Sequence, residues 1–127
     1  MSEAVIDSSV LLAILLQESG SEVAITLSAG ASISAVNLAE VASRIVDKGA
    51  APEIVGNAVE ALSIVVASFG GDDALTAGAL RNETRQVGLS LGDRACLALA
   101  RRLGAIVYTA DRRWAELDLG LRIELIR

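Results

Sequence analysis

Four carboxylates, Asp7, Glu40, Asp93 and Asp111, stand at the borders between apolar segments of a chain that contains no histidine. Acids without imidazole or thiolate partners suit a hard divalent cation, Mg2+ or Mn2+, which keeps several waters and binds phosphate oxygens. Crowded carboxylates raise one another's pKa, and a cation resolves that conflict. Such an ion can lower the pKa of a water, orient it for in-line attack and neutralise a pentacoordinate transition state. The chemistry expected is therefore hydrolysis of a phosphate ester. Asn37, one turn before Glu40, and Thr109, two residues before Asp111, are candidates to orient a carboxylate or water, with a structural hydrogen bond as the alternative.

The elements that must carry these acids follow from periodicity. Leu91, Ala95, Leu99 and Leu103 recur at helical spacing beside Cys96 and Ala100, with Arg94, Arg101 and Arg102 expected on the opposite, polar side. Ser90 is a plausible N-cap with Asp93 in the first turn, and Gly104 a plausible stop. Ala105 to Thr109 then reads as a buried strand. A helix of about 13 residues spans roughly 20 Å, and a strand of about five covers roughly 17 Å. A strand returning along its helix therefore brings Asp111 back beside Asp93.

The rest of the chain alternates in the same way. Strands are expected at Ala4 to Asp7, Ala31 to Ser34, Ser63 to Ala67 and Leu121 to Ile126. Helices are expected from Ser9 to Glu18 with Ser8 or Ser9 as cap, from Ser21 to Ala29, from Ala35 to Lys48, from Pro52 to Leu62, and from a cap at Asp72 or Asp73 to Val87. This pattern predicts one α/β domain over residues 1–127, a mainly parallel five-stranded sheet with helices on both faces. Ligands in such sheets bind beyond the carboxyl ends of the strands, the rim where all four acids fall. Each acid also has a purely structural role open to it. Asp7 can cap a helix, Glu40 can pair with Arg44 one turn on, Asp93 can complete a capping box with Ser90, and Asp111 can start a turn.

Composition narrows the class. With 53% hydrophobic residues in 127, the chain can bury one core but not two ordinary ones. Cys96, the single cysteine, cannot form an internal disulfide, which fits a reducing cytoplasmic setting. Met1 to Asp7 has acids but no basic leader region, and the longest apolar run, Val10 to Leu16, is too short to cross a bilayer. That run is apolar on nearly every side, which implies burial or a protein interface. The net charge of −5 conceals an asymmetry: residues 1–80 hold ten acids against Arg44 and Lys48, whereas residues 81–127 hold nine arginines against six acids. Arginine suits bidentate phosphate contacts. Arg81, Arg85, Arg94, Arg101, Arg112 and Arg113 are the expected nucleic-acid contacts.

At Val5-Ile6-Asp7-Ser8-Ser9, at Ser34 to Val41, at Gly88 to Ala100 and at Thr109-Ala110-Asp111 with Trp114, the chain resembles PIN-domain ribonucleases, specifically VapC-type toxins of toxin–antitoxin pairs. The resemblance covers the whole chain, and the Gly88 to Ala100 stretch is its most specific part. It implies that Asp7 and Asp93 are the principal metal ligands, with Glu40 and Asp111 completing the pocket directly or through water. It further implies cleavage of structured RNA such as tRNA or ribosomal RNA, inhibition by a VapB-type antitoxin, and a homodimer. Two other classes fit a chain of this length: a phosphoacceptor receiver-like signalling domain and a catalytically silent PIN-fold binding module. The receiver would need paired acids after the first strand and a lysine after the fifth, but Ser8-Ser9 follow Asp7 and the only lysine is Lys48.

Overall fold

The computed structural model describes residues 3–127; Met1 and Ser2, the start of the segment expected to lack a leader, lie outside the described residues. Five strands form one sheet: β1 (Ala4–Ile6), β2 (Ser32–Ser34), β3 (Val65–Ala67), β4 (Ile106–Thr109) and β5 (Ile123–Leu125). Six α-helices connect them: α1 (Ser8–Leu15), α2 (Ser21–Ser28), α3 (Ala35–Asp47), α4 (Glu53–Ala61), α5 (Gly71–Glu83) and α6 (Leu91–Leu103). A 3-10 helix over Arg112–Glu116 joins β4 to β5. Every strand pairing is parallel. The order is β3-β2-β1-β4-β5, which differs from the 2-1-3-4-5 order of receiver domains. The chain winds outward from β1 to one edge through β2 and β3, then returns to β1's other side with β4. The junction between β1 and β4 is thus the topological switch.

The pleat sends alternate side chains to opposite faces. Ile6 and Ile33 join one buried cluster with Val10, Leu11, Val41, Ile45 and Val55 of α1, α3 and α4. Val5 and Val107 join a second with Ala77 and Leu80 of α5, Leu97 and Leu99 of α6, and Trp114. The strands are covered on both faces, except that β3 is an edge and leaves Val65 and Val66 exposed. The apolar run resolves mainly as core: Val10, Leu11 and Ala13 are buried, and Leu12, Ile14, Leu15 and Leu16 pack against them in part. No described helix is long and apolar enough to cross a membrane.

Several local expectations change. The cap of α1 is Asp7 itself, whose carboxylate accepts the Val10 amide at 3.2 Å, rather than Ser8 or Ser9. Asp72 and Asp73 lie in the first turn of α5 and do not cap it; Gly70 holds the cap position without a side-chain bond. Buried Asp73 instead receives two bonds from Arg102, clasping α5 to α6. Helix α5 stops at Glu83 rather than Val87, because the Thr84 hydroxyl donates back to the Leu80 carbonyl and the following turn closes at Gly88 with φ +71°. In α6, Ser90 and Asp93 form the expected capping box, and Gly104 ends the helix in the left-handed conformation at φ +63°. Its burial is nearly all round, however. Arg94 is only 7% exposed and Leu91 is 53% exposed, because α6 lies between the sheet, α5 and α3 instead of presenting one face to water.

Trp114 is fully buried against the α5 and α6 cluster and anchors the 3-10 helix that follows Asp111. Trp114→Ala is expected to cost about 3–5 kcal/mol of stability, measured as a lower urea midpoint at unchanged m-value.

Candidate active site

Asp7 follows β1 directly, and its side chain is held by β4. Thr109 Oγ1 donates to Asp7 Oδ2 at 2.6 Å, and Ser9 Oγ donates to Oδ1 at 2.5 Å. Both hydroxyls are fixed in turn, since Ser9 Oγ accepts the Ala110 amide at 2.8 Å and Thr109 Oγ1 accepts the Asp111 amide at 3.0 Å. The parallel register that sets Ile6 opposite Tyr108 brings these residues together across about 100 positions of sequence. Burial raises the Asp7 pKa from 3.8 to about 6; the bonds from Ser9, Thr109 and Val10 oppose the rise, and the Asp93 charge adds to it.

Glu40 approaches the same rim from the second turn of α3. Glu40 Oε1 accepts both the Ser8 hydroxyl, at 2.5 Å, and Asn37 Nδ2, at 3.0 Å. Asn37 is buried, and its Nδ2 also lies 3.0 Å from the Gly92 carbonyl, so it ties α3 to the first turn of α6. The Glu40–Arg44 pair expected from spacing does not occur among the described residues. Arg44 instead lines the cleft beside Glu40.

Asp93 is the capping-box acid of α6, its Oδ2 accepting the Ser90 amide at 3.0 Å. Asp111 caps the 3-10 helix through the Arg113 amide and is gripped by the Arg113 guanidinium, with Nη2 2.6 Å from Oδ2. That guanidinium holds the Asp111 carboxyl below the ordinary carboxylate range. Arg113 Nη1 reaches on to the Val87 carbonyl at 3.3 Å, linking the 3-10 helix to the turn before α6.

All four acids line one cleft of about 330 Å3, together with Ser8, Ser9, Leu12 and Arg44. Cys96 lies below it, fully buried; burial raises its thiol pKa, and the charges of Asp7, Asp93 and Glu40 add to the rise. This thiol is no nucleophile. Among the described residues, no three acids, cysteines or histidines are drawn together closely enough to form a ready-made metal cluster. The reason is visible in the bonds above, since each carboxylate turns to a local hydroxyl, amide or guanidinium. The donor set nonetheless fits a hard cation: it is all oxygen, it comes from four separate places in the fold, and its deepest member is a buried carboxylate with no countercharge bonded to it.

The two readings open for Asp7, Asp93 and Asp111 are compatible, because a residue that caps a helix at the carboxyl edge of the sheet also faces the cleft. Asn37 and Thr109 do hold carboxylates. Ser8 and Ser9 do the same and were expected only as caps; serines placed directly after the first acid were the available signal. Nothing in the sequence marks Arg44 as a cleft residue, because its spacing from Glu40 suggests an ordinary ion pair. Among the candidate nucleic-acid contacts, Arg94 is corrected: it is buried and donates to the Ala77 carbonyl at 2.9 Å. Arg101 lies about 12 Å along α6 from Asp93 and bonds the Leu119 carbonyl. Arg113 is occupied by Asp111. Arg81, Arg85 and Arg112 are exposed and form no ion pair among the described residues. Arg81 and Arg85 line a hollow of about 150 Å3 with Thr84, Gly88 and Leu89, beside the turn that Arg113 grips.

Residues 4–119 match the family model described as PIN domain. No curated protein matches the sequence. Among solved structures, the chain is similar to DNA-bound VapBC from Salmonella typhimurium, at 23% identity and TM-score 0.73 with 100% of both chains covered. It is similar to a toxin–antitoxin complex from Klebsiella pneumoniae, at 21% identity and TM-score 0.71, covering 90% of this chain and 92% of that one. VapC20 from Mycobacterium tuberculosis, a Sarcin-Ricin loop cleaving toxin, matches at 19% identity and TM-score 0.73, covering 94% and 99%.

Proposed function

Because the chain belongs to the PIN-domain family, we propose that it is a Mg2+- or Mn2+-dependent endoribonuclease acting as the toxin of a toxin–antitoxin pair. The observation that carries the reading is the delivery of four acids from four separate places in the fold, the β1–α1 junction, α3, the start of α6 and the end of β4, into one cleft at the β1/β4 switch. The similarity in fold to VapBC assemblies supports a VapB-type antitoxin as the partner, and the loop-cleaving activity of VapC20 supports structured RNA as the substrate. A homodimer and a cytoplasmic setting complete the proposal.

Asp7 and Asp93 hold the cation, with Glu40 and Asp111 completing the pocket. A bound Mg2+ or Mn2+ supplies charge neutralisation and activation of water for in-line attack on a phosphodiester. Ser9 and Thr109 fix both oxygens of Asp7 so that the carboxylate needs little reorganisation to act as a ligand. Asn37 and Ser8 do this for Glu40, and Arg113 keeps Asp111 ionised. Arg44 sits where a phosphate entering the cleft would need a countercharge. Arg81, Arg85 and Arg112 remain free to meet the RNA backbone beyond it.

The test is to map RNA 5′ ends in cells after brief expression, against an Asp7→Asn control. New ends at one or a few positions support the reading and identify the target; identical maps contradict it. A second expectation concerns the arginines. In an uncleaving Asp7→Asn background, replacing Arg81, Arg85 and Arg112 by Gln should lower the slope of log affinity against log salt by about two, at roughly 0.7 per lost single-strand phosphate contact. An unchanged slope would remove them from the interface.

A further inference from the structure

Gly92, the second residue of α6, is buried on the side of the helix where Ala95 and Cys96, three and four residues on, bury their side chains. Its backbone is not in the left-handed region, so conformation does not require glycine there. Glycine within a helix is a poorer helix former than alanine, so the empty space itself needs a cause. A Cβ at Gly92 would overlap Glu40, whose Oε2, Cδ and Oε1 are its three nearest atoms. Gly56 and Gly78, also helical, have nothing within 4 Å of such a Cβ. The Gly92 carbonyl meanwhile accepts Asn37 Nδ2, the group that also holds Glu40 Oε1.

We propose that Gly92 is a positioning residue of the acid cleft: the space left by its missing side chain seats the Glu40 carboxylate and sets its approach to Asp93. The inference rests on the reading of Glu40 as one of the acids that hold the cation. A methyl group would force Glu40 off this seat and away from Ser8 and Asn37, while leaving the fold of α6 undisturbed. The consequence is a separation of effects, with the cation site weakened and the helix no less stable.

The experiment measures Mn2+ affinity by electron paramagnetic resonance and melting temperature in chelator, on purified full-length protein freed of metal. Gly92→Ala should weaken Mn2+ binding about tenfold or more, the scale seen when a group that orients a ligand is lost, with the melting temperature unchanged or higher. Glu40→Asp shortens the acid by one methylene and withdraws it from the methyl, so adding Gly92→Ala in that background should cause no further loss. This non-additivity is the signature of direct coupling between the two positions. Mn2+ binding by Gly92→Ala at wild-type strength, with Glu40→Gln weakened, would overturn the seat and leave the cation reading standing. If Glu40→Gln also bound at wild-type strength, Glu40 would lie outside the cation site and both would fall. Additive losses, or a fall in melting temperature that persists in the Glu40→Asp background, would assign Gly92 to packing and overturn the proposal.

Discussion

Asp7→Asn is expected to abolish RNA cleavage, by a factor on the order of 10³, and to make the metal-free protein more stable. Both effects come from one buried carboxylate. In the folded chain its pKa is about 6, above the ordinary 3.8, so the native state holds the proton more tightly than the unfolded chain does. Stability from this group is therefore greatest below pH 4, falls as pH rises from about 4 to about 6, and is level above that. The shift corresponds to about 3 kcal/mol. Asparagine keeps an acceptor for the Val10 amide and the Ser9 hydroxyl and carries no charge to desolvate, but its Nδ2 cannot accept the Thr109 hydroxyl, so the variant should gain part of that amount at pH 7. The difference in stability between the two proteins should vanish as pH falls towards 4. The check is urea denaturation in chelator across pH 4–8. A variant that is less stable at pH 7 would mean that Asp7 serves chiefly as the α1 cap, with its charge adequately solvated.

Asp93→Asn carries the second large effect, and here stability and activity separate differently. Asp93 is half-buried in the first turn of α6, and its Oδ2 accepts the Ser90 amide. An amide oxygen can still accept that bond, so the capping box should survive with a change of a few tenths of a kcal/mol. What is lost is one of the two negative charges proposed to hold the cation directly. Cleavage should fall on the order of 10²-fold or more, with higher Mn2+ concentrations needed to recover what remains. Initial rates against Mn2+ concentration, beside thermal melts in chelator, measure both quantities. Near-normal cleavage with a lowered melting temperature would reduce Asp93 to a helix cap.

Much of this organisation is legible in the sequence because the elements are short and sharply bounded. The α6 stretch shows it best: Ser90, Asp93 and Gly104 mark both ends, and the length match to β4 brings Asp111 back beside Asp93. Less legible were features that depend on three-dimensional neighbours. Arg94 sits in a run whose period assigns it to the polar side, yet α5 and α3 enclose that side and bury it. Asp72 and Asp73 look like caps by residue type, but Asp73 faces Arg102 on a helix 29 residues away. Thr109 could be connected to Asp7, and Ser9 to Ala110, only through the β1/β4 register, which no local pattern encodes. Gly92 is a comparable case, since its significance lies in a carboxylate on α3.

Above all else, these four acids are proposed to act through a divalent cation on RNA. The most direct measurement is cleavage of a structured RNA by purified, antitoxin-free protein in chelator and again after adding Mg2+ or Mn2+, with Asp7→Asn run in parallel to exclude a contaminating nuclease. The predicted result is no cleavage in chelator, cleavage restored by either ion, and none by the variant in any condition. Cleavage at full rate in chelator, lost in the Asp7→Asn sample, would contradict the cation mechanism while leaving the acid cleft as the place where the reaction occurs.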